Sequence, residues 1–142
     1  MEIKMAKLYD SKCYCTNIRR SANVLTEYYN KGLEDTGLSV AQYYLLINLK
    51  RLERANITHW AERVGLDRST MVRNIKNLTE RELIFLTEGQ GKTYALTDKG
   101  KDVVETAAAE WERIQKNLEV FLGPEDSEAI LRIGRKLQEL RE

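Results

Sequence analysis

Two short helices meeting across Gly65-Leu66-Asp67 constrain this chain more than any other feature. Ile57 to Val64 reads as a short helix that Asn56 can cap. Gly65 follows at the position where a left-handed residue ends a helix with little strain. A second helix then extends from Asp67 to Glu82, because the Asp67 carboxylate can accept the orphan N–H groups of its first turn. Met71, Ile75 and Leu78 recur at helical spacing and draw one apolar stripe. Ser69, Val72, Arg73 and Lys76 lie opposite, with Arg68 at the rim, and no anion stands between Arg68 and Leu78. A helix that packs on one side and shows hydroxyls and cations on the other suits a DNA major groove. By itself it also suits a solvated surface, so its neighbours decide.

Behind this helix, Ile84 to Thr87 and Thr93 to Leu96 are rich in β-branched, aromatic and apolar residues. Gly89-Gln90-Gly91-Lys92 makes the tight loop between them. A β-hairpin directly after a helix-turn-helix predicts a winged helix. Gly91-Lys92-Thr93 has the look of a Walker A ending, but Leu86 stands where that motif needs a glycine and a strand follows in place of a helix. Nucleotide binding is therefore rejected.

The flanks are helical by pattern. A first helix spans about Ser11 to Lys31, with Tyr14, Ile18, Ala22, Leu25 and Tyr29 on one face. Ser39 caps a second, Val40 to about Leu52, whose apolar residues cover most of its circumference and predict a buried central element. Thr97 caps a long helix. Val104, Trp111 and Leu118 repeat every heptad in it, as do Ala107, Ile114 and Phe121, predicting a coiled-coil-like seam. Gly123-Pro124 breaks it, and a last helix follows with Ile130, Ile133, Leu137 and Leu140 on one side. These terminal stripes need a partner, and a second copy of the chain is the simplest one. The predicted fold class is mainly α with a small β-hairpin wing. A winged helix over about 38–97 joins a dimerisation region built from helices over about 8–32 and 98–142.

With 142 residues and a net charge of +1, the chain has the length of one domain and no polybasic coat. No apolar run approaches the length of a membrane span, and MEIKMAKLYD lacks the core of a signal peptide, so a cytoplasmic location is expected. One histidine, His59, and no nucleophile or paired-carboxylate motif argue against an enzyme and against a metal site, and no cofactor is called for.

The element order and several local words resemble the MarR family of bacterial and archaeal transcriptional regulators. The words are Gly37-Leu38-Ser39-Val40-Ala41-Gln42, the run from Trp60 to Thr70 across the turn, and Leu96-Thr97-Asp98-Lys99-Gly100 after the wing. The resemblance implies a homodimer carrying two winged helices, a pseudo-palindromic double-stranded DNA operator, and control by a small ligand or by thiol oxidation. The sequence departs from the family at the wing tip. The family's wing is usually longer and carries an arginine for the minor groove, whereas Lys92 is the only cation in Glu88–Thr93. A lysine meets phosphate as a point charge and reads groove width less well.

Candidate contacts follow. Ser69 and Thr70 sit in the first turn, where hydroxyls and exposed N–H groups suit phosphate or a base edge. Arg73 suits a bidentate guanine contact, while Arg68, Lys76 and Lys92 suit phosphate, and Asn74 or Asn77 suits either. Cys13 and Cys15 fall in the first helix, pointing about 200° apart. In thiol-sensing relatives a cysteine near this point is oxidised and tyrosines bond to it; Tyr9, Tyr14, Tyr28, Tyr29, Tyr43 and Tyr44 are the candidates here. The competing reading makes Cys15 a small buried apolar residue and Cys13 a bystander. Trp111 and these tyrosines either line a cavity for a small aromatic effector or simply pack. A winged helix can also serve as a protein-interaction module without direct DNA binding. The cation-only face of the helix after the turn speaks against that alternative.

Overall fold

The computed structural model describes residues 11–89 and 91–141, so Tyr9 and the wing-tip Gln90 lie outside the described residues. The helices are α1 (Tyr14–Leu33), α2 (Val40–Leu52), α3 (Ile57–Val64), α4 (Arg68–Glu80) and α5 (Asp98–Gln138), with a 3-10 turn, Glu34–Thr36, between α1 and α2. Strands β1 (Ile84–Leu86) and β2 (Tyr94–Leu96) pair antiparallel, with Phe85 opposite Ala95. The fold is a winged helix-turn-helix flanked by terminal helices, as the sequence predicts. Among the described residues no helix is long and apolar enough to cross a membrane.

Local chemistry explains the boundaries. Ser39 and Gln42 form a reciprocal capping box on α2, and Asn56 and Thr97 accept from the first turns of α3 and α5. Gly65 takes the left-handed conformation at φ 73° that lets the chain turn within three residues. The core gathers Leu33, Leu46, Leu49, Trp60, Met71 and Val104, all fully buried. The indole N–H of Trp60 donates to the Leu45 carbonyl at 3.0 Å, which satisfies the one polar atom of a wholly buried ring.

Three expectations are corrected. Of the α5 heptad residues, all but Phe121 pack within their own subunit instead of forming a seam for another chain. Val104, Ala107 and Ile114 are buried in the subunit's own core, and the Trp111 ring stacks on Tyr43 with centroids 6.3 Å apart. A helix with this period can satisfy it against α1 and α2 in cis, and does. What stays open is the end of that segment, where Val120 and Phe121 are 85% and 84% exposed. Gly123, at φ 84°, breaks α5 where expected, and the following segment leaves Ile130, Leu131, Ile133, Leu137 and Leu140 exposed. Secondly, Cys13 lies outside the first helix, as its N-cap residue with extended backbone. Thirdly, neither thiol is buried in the subunit, which removes the reading of Cys15 as a core residue.

Candidate nucleic-acid interface

The stripe Met71, Ile75 and Leu78 seats α4 on the core, with all three residues buried. Arg68, Ser69, Val72, Arg73, Lys76 and Asn77 are exposed, while Thr70 and Asn74 are half-buried. The cations thus share the outward side of one helix whose inner side is fixed. Lys92 is exposed on the wing, behind β1.

The first turn is already partnered. One Asp67 carboxylate oxygen accepts the Thr70 N–H at 2.7 Å and the Ser69 hydroxyl at 2.8 Å. The Thr70 N–H, followed by the hydroxyls of Ser69 and Thr70, holds the carboxyl below its usual range. Asp67 therefore occupies the anion position that the sequence reading left to phosphate. The side chain of Arg68 stands exposed beside this turn. Asn74 is also committed, donating to the Thr70 carbonyl at 2.9 Å. Asn77 accepts from the Gln42 amide at 3.4 Å. Arg73 keeps its guanidinium outward, with one long contact of 3.5 Å to the Thr70 hydroxyl. Arg68, Arg73 and Lys76 are the exposed cations of this face.

Two features escaped the sequence reading. Arg81, just beyond α4, donates to the Gly37 carbonyl at 2.8 Å and to Gln42 Oε1 at 3.3 Å. Arg141 lines an open cleft together with Asp67 and Arg68. Gln42 could have been suspected from the capping box.

At the other end, the Arg19 guanidinium donates to the Cys15 sulfur at 3.7 Å. The Cys13 thiol is pulled below its usual range by the Thr16 hydroxyl and then by the Thr16 N–H. Among the described residues no group of three or more His, Cys, Asp or Glu side chains is gathered to hold a metal ion.

A sequence model of the MarR family matches residues 36–92, from the turn before α2 to the wing tip. The HTH-type transcriptional regulator SarZ of Staphylococcus epidermidis is 28% identical over 99 residues, covering 67% of this chain and 67% of SarZ. The M. tuberculosis transcriptional regulator MosR, solved in complex with DNA, superposes with a TM-score of 0.78 at 25% identity, covering 92% of this chain and 100% of MosR. The repressor CouR, bound to a 23-mer DNA duplex, has a TM-score of 0.82 at 22% identity over 89% of this chain and 93% of its own, a likeness of fold.

Proposed function

We propose that this chain is a homodimeric DNA-binding repressor of the MarR family acting in the cytoplasm, as its likeness to that family's sequence model, to SarZ and to MosR supports. The observation that carries the reading is α4: buried through Met71, Ile75 and Leu78, cationic on its free side through Arg68, Arg73 and Lys76. Each subunit sets this helix in a major groove of double-stranded DNA. Two subunits read half-sites about one helical turn apart, roughly 10 bp. Arg73 reads a base edge, Lys76 and Arg68 hold phosphate, and Lys92 adds a phosphate contact from the wing. The partner surface is the exposed apolar set of Tyr14 and Ile18 on α1, Val120 and Phe121, and Ile130 to Leu140. A second copy covers it with the same residues, as a two-fold interface requires.

Release from DNA follows either cysteine oxidation or binding of a small ligand. Cys13 and Cys15 are both exposed at the start of α1, beside Tyr14 on that partner surface, and the Cys13 thiol is biased toward thiolate. Oxidation there alters the interface that spaces the two α4 helices. A small aromatic effector is the alternative input; the stacking of Tyr43 on Trp111 favours packing for that pair.

A gel-shift of the purified chain against DNA from its own upstream region tests the proposal. A salt-sensitive complex that unrelated DNA of equal length does not compete away supports it. Absence of any complex sinks it and returns the chain to the protein-interaction class.

A further inference from the structure

The C-terminal end of α4 is fastened to the turn where α1 hands over to α2. Arg81 Nη2 donates to the Gly37 carbonyl at 2.8 Å, and Nη1 donates to Gln42 Oε1 at 3.3 Å. The same Gln42 oxygen accepts the Ser39 N–H at 3.0 Å, and its amide donates to Asn77 Oδ1 on α4 at 3.4 Å. On the far side of the turn, the Val40 N–H donates to Asn30 Oδ1 of α1 at 2.7 Å. Lys99 of α5 closes the set by donating to the Arg81 carbonyl at 3.1 Å. Gly37 stands at φ 77°, and a Cβ there would come within 3.3 Å of the Arg81 guanidinium. A side chain at this position would therefore strain the backbone and crowd the clasp together.

We propose that Arg81 is a positioning residue for DNA reading: through Gly37 and Gln42 it sets the tilt of α4 against α1, and so the half-site spacing the dimer accepts. The guanidinium faces inward to this turn, and its work is done by geometry. Its rigid planar fork holds two separate N–H donors in fixed directions, one for each acceptor, a geometry that the single ammonium of a lysine on its flexible stem does not fix. Since α1 carries part of the partner surface, any displacement of α1 reaches α4 through Asn30, Val40, Gln42 and Arg81. The spacing consequence rests on the DNA-binding reading above; the tilt does not.

The test therefore has two arms. In the full chain with Cys13→Ser and Cys15→Ser, nitroxides on Val72→Cys and Glu105→Cys report the distance from α4 to α5 without DNA. Dilution into unlabelled protein isolates the intrachain pair. Arg81→Ala is expected to shift or broaden that distribution, and Arg81→Lys to do so less. In the second arm, unlabelled protein binds operators whose half-sites stand at the native spacing or are displaced by one base pair. Arg81→Ala is expected to lower the preference for native spacing about tenfold, a coupling of ordinary size. Its salt dependence should match wild type, because no phosphate contact is lost. If Arg81→Ala does not fold, Arg81→Lys carries both arms. An unchanged distance distribution overturns the proposal, and so does a shallower salt slope with unchanged spacing preference. A wild-type chain that selects no DNA counts against the DNA-binding function alone, while the distance arm still decides the clasp.

Discussion

The carboxylate of Asp67 closes onto Thr70, accepting its backbone N–H at 2.7 Å while also taking the Ser69 hydroxyl. This contact ties down the first turn of α4 and places a negative charge beside Arg68. Because the folded state holds the Asp67 carboxyl below its usual range, the stability it contributes is fully present above the unfolded carboxylate pKa, about 3.9. That stability is lost as pH falls through the lower folded value. The gap in Tm between wild type and Asp67→Ala should accordingly be constant from about pH 7 to pH 5 and close below about pH 4. A gap independent of pH down to the acid limit would remove the carboxylate from the explanation.

Gly100 stands in the first turn of α5 against the wing. A Cβ built there would lie 2.0 Å from the Leu83 carbonyl oxygen, a backbone atom that cannot rotate away. The same carbonyl accepts the Thr97 N–H at 3.1 Å, so it is held from two sides. Gly100→Ala should destabilise the protein by ~1–3 kcal/mol, the range for an overpacked core, although alanine is the better helix former. Urea unfolding measures this directly. A neutral or stabilising effect would mean that α5 does not rest on Leu83 as described.

The thiol of Cys13 owes its lowered pKa first to the Thr16 hydroxyl. In a Cys15→Ser background, Thr16→Val should slow the alkylation of Cys13 by iodoacetamide at neutral pH, since thiolate is the reacting form. Equal rates in the two proteins would leave Cys13 an ordinary surface thiol and weaken the oxidative route to DNA release.

Much of the frame was legible in residue pattern because its signals are local. Asn56, Gly65, Asp67 and the stripe Met71, Ile75, Leu78 each act within a few residues, and each takes the predicted place. What was not legible depends on contacts far apart in sequence. The heptads of α5 say that one face is apolar, and only packing shows that Val104, Ala107 and Ile114 meet the same subunit. Helix α4 ends at Glu80 and not at Glu82, because Glu82 takes φ 61° as the chain swings Leu83 and Ile84 into the core. Of the candidate contacts, Arg68, Arg73, Lys76 and Lys92 are exposed as the pattern suggests. Asn74 and Asn77 are drawn into bonds with Thr70 and Gln42 that no spacing rule announces.

The DNA-reading role of α4 is tested most directly at Arg73, by fluorescence anisotropy of wild type and Arg73→Ala on operator and on unrelated DNA at one fixed salt concentration. Arg73→Ala should weaken operator binding by ~1–3 kcal/mol and relax specificity at one base position, while affinity for unrelated DNA changes far less. Operator binding by Arg73→Ala equal to that of wild type would contradict the assignment of α4 as the reading helix.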